Sequence, residues 1–128
     1  MREILFRGKL VDSGEWIYGL LDDEDHGADF TAIIPHRKHR AEYADWEVDP
    51  TTVGQYTGLK DRNGERIFEG DVVRISKTLF AVEWRDAEYV FGHIAGQPWS
   101  YPYFASHAGS CEIIGNIHDN PELLGEVC

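Results

Sequence analysis

Residues 53–74 read Val-Gly-Gln-Tyr-Thr-Gly-Leu-Lys-Asp-Arg-Asn-Gly-Glu-Arg-Ile-Phe-Glu-Gly-Asp-Val-Val-Arg. Between the apolar runs of this stretch, Asp61 can bond its own backbone, and Asn63-Gly64 tolerates the positive φ that a tight turn requires. A second glycine, Gly70, precedes the β-branched run 72–75, which predicts a strand. A turn, a bend at a glycine and a β-branched strand together form a common entry into a small, strongly bent barrel.

The part of the chain before this stretch predicts a β-hairpin. Strand-like patterns at 4–11 and 16–21 are separated by Asp12-Ser13-Gly14-Glu15, which has the composition of a turn. A further short strand at 30–34 is expected to stop at Pro35. The polar segment 36–45 has only a weak apolar face, which allows a helical turn.

The part after residue 74 predicts more strands, near 79–84, 88–94 and 113–117. The segment 97–109 is rich in proline and aromatic residues and favours a packed loop, while Pro121 fits the first position of a helical turn at 120–124. We therefore predict a mainly β fold, with an α+β fold as the alternative. Two parts are expected: an N-terminal hairpin-containing subdomain at 1–52 and a β-barrel part at 53–128 that together form one unit.

Three stretches of the sequence resemble the YopX family of phage and prophage proteins. They are the N-terminal Met-Arg-Glu-Ile-Leu-Phe-Arg-Gly-Lys (1–9), the central block at 55–73 and the C-terminal block at 112–124, Glu-Ile-Ile-Gly-Asn-Ile-His-Asp-Asn-Pro-Glu-Leu-Leu. The segments 22–49 and 95–110 match no specific part of the family pattern. The resemblance implies a phage-derived protein whose C-terminal part is an SH3-like β-barrel. It implies no catalytic or binding residue, because the family carries no established activity.

The charge of the chain disfavours nucleic acid as a general partner. Twelve Lys and Arg stand against 23 Asp and Glu, which gives a net charge of −11, and no Lys or Arg follows Arg85. A surface of this charge repels phosphate backbones. It favours solubility, and it also allows docking to a basic partner. Two cysteines and the lack of a long apolar run predict a reduced, cytoplasmic protein in the host cell, away from the membrane.

The sequence contains no convincing motif for a metal site, a cofactor site or a catalytic site. An EF-hand counted from Asp22 would place His26 at its fifth position and Ile33 at the twelfth, where a bidentate Glu is needed. His36 and His39 lie among cations that disfavour a nearby metal dication. No nucleophile or phosphate-loop motif occurs. Glu69 and Asp71 could act as an acid–base pair, but their glycine-turn context favours bonds to backbone amides. We predict no metal, no cofactor and no enzymatic activity.

Two segments are the predicted candidates for an interaction surface. One is the basic run, with Arg37, Lys38 and Arg40; the other is the aromatic loop, with Trp99, Tyr101, Tyr103 and Phe104. Exposed loop aromatics act as interface anchors, and a basic run can bind a phosphate or an acidic partner. The predicted function is therefore a non-enzymatic module that binds a host or phage protein. The alternatives are a nucleic-acid-associated accessory role through the basic run, an undescribed enzyme, and self-association through exposed strand edges.

Overall fold

The computed structural model of the chain describes residues 3–22, 31–35, 46–76, 78–85, 88–93 and 107–124. The secondary structure of these ranges is almost entirely β, which confirms the mainly β prediction. The strands are β1 (Phe6–Lys9), β2 (Trp16–Asp22), β3 (Ala32–Pro35), β4 (Gly54–Lys60), β5 (Arg66–Phe68), β6 (Asp71–Ile75), β7 (Thr78–Arg85), β8 (Glu88–His93) and β9 (Glu112–Asn116). Within the described ranges, 3₁₀ helices lie at Pro50–Thr52, Ala108–Ser110 and Pro121–Leu124.

The chain divides into two compact units, Met1–Tyr56 and Thr57–Cys128. The strands form two antiparallel sheets. One has five strands in the order β3-β2-β1-β4-β5, and the other has four in the order β8-β7-β6-β9. The predicted boundary after residue 52 stays a prediction, because compactness alone does not show that a part folds on its own.

The predicted hairpin in the first unit is confirmed as β1 and β2. Its turn is closed by the Leu10 amide, which donates to the Glu15 carbonyl (2.9 Å), and by the Gly14 amide, which donates to the Leu10 carbonyl (2.9 Å). Gly14 has a φ of +74°, a conformation that a residue with a Cβ atom rarely adopts. The turn therefore sets the β1–β2 register, in which Phe6 lies opposite Gly19.

The central turn of the second unit also follows the prediction. Gly64 and Gly70 have φ values of +81° and +94°. The Asp61 carboxylate accepts hydrogen bonds from the amides of Asn63 and Glu65, and the Asp71 carboxylate accepts one from the amide of Phe68 (2.7 Å). Both carboxylates therefore shape turns.

The β6 strand is buried on both of its faces. Val72 and Val73 point to opposite sides of the sheet, and neither has any exposed surface. Val73 belongs to the main core, which also contains Ile67, Phe80, Val82, Phe91, Ala108 and Cys111. Val72 and Ala81 form a smaller cluster, against which Leu79, Ile114, Ile117 and Leu123 pack. The 3₁₀ helix that begins at Pro121 thus helps to cover the second face.

A bulge interrupts the pairing of β6 with β9 between Val72 and Val73, and such an irregularity bends a strand. The described strands nevertheless form two open sheets and no closed barrel. No described helix is long and apolar enough to cross a membrane.

Candidate interaction surface

An apolar surface lies on one face of β2 in the first unit. Tyr18 and Leu20 are 45% and 48% exposed. They share a face because side chains alternate along a strand. Trp16, two positions before Tyr18, lies on the same face, and so does Ile34, which is directly opposite Leu20 on β3. Trp16 and Ile34 are half-buried. These four residues, Trp16, Tyr18, Leu20 and Ile34, are called the β2 surface below.

Two cations from β1 border the β2 surface at its Trp16 end. In the β1–β2 register, Arg7 lies opposite Tyr18 and Lys9 lies opposite Trp16. The Arg7 guanidinium carbon is 4.6 Å from the centroid of the Trp16 ring, and the Lys9 ammonium is 5.7 Å from it. Both distances are within the range of cation–π attraction. Arg7 is only 6% exposed, so its charge lies beneath the surface, while Lys9 is half-buried.

A cavity of about 350 Å³ lies next to the Trp16 end of the β2 surface, and Lys9 forms part of its lining. Its walls come from the hairpin turn and from the segment around the first 3₁₀ helix: Lys9, Leu10, Val11, Gly14, Glu47, Val48, Asp49, Pro50 and Thr52. Polar groups of this lining form hydrogen bonds with one another and with Thr51. Asp49 accepts bonds from the amide and hydroxyl of Thr51, and the Lys9 amide donates to the Thr52 hydroxyl (2.9 Å). The cavity wall next to the β2 surface thus combines apolar side chains with the charged residues Lys9, Glu47 and Asp49.

A second exposed aromatic residue lies in the other unit. Trp84 on β7 is 55% exposed and meets Tyr89 of β8 edge-on, with 4.7 Å between the ring centroids. Trp84 lies on the same face of β7 as Val82, two positions further along the strand. Val82 is buried, whereas Trp84 is exposed to solvent. It provides a matched exposed aromatic residue outside the β2 surface.

The buried acidic groups of the second unit are used to hold the fold. Asp61 is 5% exposed, and its carboxylate accepts three backbone amides, from Asn63, Glu65 and Ile113, at 2.8–3.0 Å. Burial alone would raise the pKa of Asp61, but these bonds, with Arg62 nearby, outweigh it and lower the pKa below its ordinary value. A carboxylate held ionised by amide donors is a poor proton donor at neutral pH.

The buried thiol of Cys111 is similarly inert. It is fully buried, and its Sγ–H donates to the Ala108 carbonyl (3.1 Å). Burial, with the charges of Asp61 and Asp71, raises the pKa of this thiol to about 11. At neutral pH it is therefore a protonated core side chain and a weak nucleophile. The described residues contain no cluster of metal-ligating side chains.

The predicted site residues lie outside the described residues. These are Arg37, Lys38 and Arg40 of the basic run and Trp99, Tyr101, Tyr103 and Phe104 of the aromatic loop. The sequence-based reading identified β2 as a strand but did not single out the β2 surface. One signal was available: Trp16, Tyr18 and Leu20 are large and apolar at every second position, although an antiparallel sheet usually has one polar face.

The comparison with protein families identifies the chain. The family model described as YopX protein matches residues 5–125. The chain belongs to the YopX family. The resemblance carried by the three stretches of sequence is thereby confirmed, and the match also spans the segments that showed no specific motif.

The crystal structure of protein EF1440 from Enterococcus faecalis is similar to this YopX-family chain, with a TM-score of 0.61. The alignment covers 98% of this chain and 100% of EF1440 at 23% sequence identity. At this identity the likeness shows a shared fold. No curated protein matches the chain.

Proposed function

We propose that this YopX-family chain is a non-enzymatic protein-interaction module of phage or prophage origin that acts in the cytoplasm of its host cell. Its docking site is the β2 surface. The observation that carries the proposal is the exposure of Tyr18 and Leu20 side by side on one sheet face, with Trp16 beside them. Monomeric proteins rarely leave contiguous large apolar side chains exposed unless the patch binds something.

The composition of the β2 surface supports a protein partner. Tyr, Trp and Arg dominate the residues that carry most of the binding energy in protein interfaces. Here Tyr18 and Trp16 are held on a strand, and Arg7 and Lys9 restrain the Trp16 ring. A rigid aromatic side chain loses little conformational entropy when a partner covers it. The proposal therefore rests on a pre-formed surface.

A second candidate function is binding of single-stranded nucleic acid. It is favoured by the position of two cations around the Trp16 ring, because a base can stack on an aromatic ring while a cation meets its phosphate. The basic run with Arg37, Lys38 and Arg40, which lies outside the described residues, is the other predicted basis for this function. The net charge of −11 opposes it, so we place it second.

The proposal also includes a specific fold for the second unit. The second unit would be an SH3-like barrel, with Trp99, Tyr101, Tyr103 and Phe104 contributing a second interaction surface. The bulge at Ile114 of β9, opposite the Val72–Val73 step of β6, and the positive φ of Gly70 support a bent sheet of this kind. Catalysis ranks third, because the buried carboxylates of Asp61 and Asp71 are committed to backbone amides.

Affinity purification from cells that encode the protein tests the proposed function. The bait is the full chain, compared with a Tyr18→Ser, Leu20→Ser double variant and with a Trp84→Ser control that removes an exposed aromatic residue elsewhere. All baits are first checked for an unchanged circular dichroism spectrum. We expect at least one protein to copurify with the wild type and the control and to be lost from the double variant. Identical recovery with all three baits would contradict the proposal.

A further inference from the structure

We propose that Asn63 is a site of spontaneous deamidation in the folded protein, and that isoaspartate formed there weakens the turn that Asp61 holds. The Asn63 side chain is exposed, and its carboxamide makes no hydrogen bond to any described residue. The next residue, Gly64, is also exposed, and open space surrounds the position where a Cβ atom would lie. An unrestrained carboxamide is therefore next to a backbone amide that no side chain shields.

The reaction needs no catalyst, and water is its only co-reactant. The Gly64 nitrogen loses its proton and attacks the Asn63 Cγ, so that a new N–C bond closes a five-membered succinimide ring and ammonia leaves. Water then hydrolyses the ring at one of its two carbonyls. One product is aspartate, and the other is isoaspartate, in which the main chain runs through the side-chain Cγ. Each has gained one water and lost one ammonia, and each carries a negative charge where the amide was neutral.

The other two asparagines of the chain are protected by their surroundings. Asn116 accepts two backbone amides with its Oδ1 and donates from Nδ2 to the Asp119 carboxylate, and the β-branched Ile117 follows it. Asn120 accepts a backbone amide, and the proline after it has no N–H to lose. Only Asn63 of the three combines an exposed, unbonded carboxamide with a following glycine.

One hydrogen bond of the turn opposes the reaction. The Gly64 amide donates to the Asp61 carbonyl (3.0 Å), so its nitrogen loses the proton less readily than in a flexible peptide. This bond lies in an exposed turn, where local opening costs the least free energy. Deamidation of Asn63 should therefore be slower in the folded chain than in a peptide, and still much faster than at the two hydrogen-bonded asparagines.

Isoaspartate at position 63 would change the spacing of the amides that Asp61 accepts. It lengthens the main chain by one carbon between the Asn63 amide and the Gly64 amide. The hydrogen bonds that Gly64 and Glu65 donate to Asp61 lie after that point, whereas the one from Asn63 lies before it. The present geometry of all three bonds would be lost. The Asp61 carboxylate also accepts the Ile113 amide, so the change reaches β9. Deamidation here is independent of the proposed function, since the β2 surface is in the other unit.

Ageing of the full chain in mildly alkaline buffer at body temperature tests the site. Peptide mapping by mass spectrometry follows a mass gain of about 1 Da at each asparagine, and a synthetic peptide of residues 58–68 is the unstructured reference. We expect conversion of Asn63 in the full chain to be at least about tenfold faster than that of Asn116 or Asn120. An unchanged Asn63 while the peptide reacts, or equal rates at the three asparagines, would overturn the proposal.

Urea unfolding of the aged protein tests the effect on the turn. Isoaspartate is quantified with a protein isoaspartyl methyltransferase, and Asn63→Gln aged in parallel is the matched control, because glutamine would have to close a slower, six-membered ring. We expect a second unfolding transition at lower urea concentration in aged wild type, with an amplitude that follows its isoaspartate content. The control should show a single, unchanged transition.

Freshly prepared Asn63→Asp separates the added charge from the altered main chain. It carries the charge of the products on an ordinary backbone, and it should unfold close to wild type because position 63 is exposed. An Asn63→Asp variant as unstable as the isoaspartate form would overturn the role given to the main chain. So would an aged wild type that contains isoaspartate and unfolds in one unchanged transition.

Discussion

At the scale of single residues, Asp61 connects two parts of the second unit that are far apart in sequence. One carboxylate oxygen accepts the amides of Asn63 and Glu65 within the turn, and the other accepts the amide of Ile113 at the start of β9. The Arg62 amide also donates to the Cys111 carbonyl (2.9 Å), beside this link. The turn could be predicted from Asn63-Gly64 because its chemistry is local. The bond to Ile113 could not, since it depends on the tertiary fold.

Replacing Asp61 with Ala should lower the free energy of unfolding by about 2–4 kcal/mol, because three amides lose a charged acceptor in a poorly hydrated site. Glu65→Ala is the matched control. The Glu65 side chain is exposed, and its backbone takes part in the turn, so we expect a change within about 0.5 kcal/mol. Urea unfolding followed by circular dichroism measures both. Equal stabilities of the two variants would contradict this role of Asp61.

The lowered pKa of Asp61 predicts a dependence of stability on pH. A carboxyl group whose pKa is lower in the folded protein binds fewer protons there, so its contribution is complete above the unfolded pKa of about 3.8. The contribution is lost as the pH falls through the folded pKa. The difference in unfolding free energy between wild type and Asp61→Asn should therefore shrink from pH 7 toward pH 2. A constant difference across that range would show that ionisation of Asp61 does not stabilise the fold.

The Cys111 thiol should react slowly in the folded protein. With its pKa raised to about 11 and its side chain buried, little thiolate forms at pH 8. In a Cys128→Ser background, labelling by Ellman's reagent should be on the order of 100-fold slower than in 6 M guanidinium chloride. Equal rates in the two conditions would mean that Cys111 is accessible in the native state.

At the scale of elements, β6 and β9 show which parts of the sheet the sequence could predict. The β-branched run at 72–75 predicted a strand, and Val72 and Val73 are both buried. The strand pattern does not predict that other residues pack on both faces of β6, and it does not predict the bulge in the β6–β9 pairing at Val72 and Val73. Both depend on partners that are distant in sequence, which also set the pairing register. The close approach of the last 3₁₀ helix to β9 is a result of this packing.

Gly115 on β9 permits that close approach. A Cβ atom added there would lie 2.5 Å from the Asn120 Oδ1 and 2.9 Å from the Leu123 Cδ1. Asn120 caps the turn by accepting the Asn116 amide, and Leu123 packs against the Val72 cluster. We expect Gly115→Ala to destabilise the protein by about 1–3 kcal/mol.

Thermal unfolding monitored by circular dichroism measures this effect, with Gly109→Ala as the control. A Cβ atom at Gly109 meets no atom within 4 Å, and its φ is not positive, so that variant should unfold like wild type. Equal melting temperatures of Gly115→Ala and wild type would show that the 3₁₀ helix does not pack closely on β9.

At the scale of the whole molecule, an acidic chain carries an exposed aromatic and aliphatic surface with two cations near its Trp16 ring. The net charge of −11 was visible in the sequence, as was family membership. The alternation of Trp16, Tyr18 and Leu20 was visible as well, but the cations beside them were not, because only the register of β1 with β2 brings Arg7 and Lys9 next to Trp16. The predicted sites at the basic run and the aromatic loop lie outside the described residues and stay predictions.

Site-specific photo-crosslinking is the most direct test of the β2 surface as a docking site. Benzoylphenylalanine placed at position 18 is compared in living cells with the same residue at position 84, the exposed aromatic position of the second unit. We predict that irradiation yields a covalent adduct with a partner protein from position 18 and not from position 84. Adducts from position 84 alone, or the same adducts from both positions, would contradict a docking role for the β2 surface.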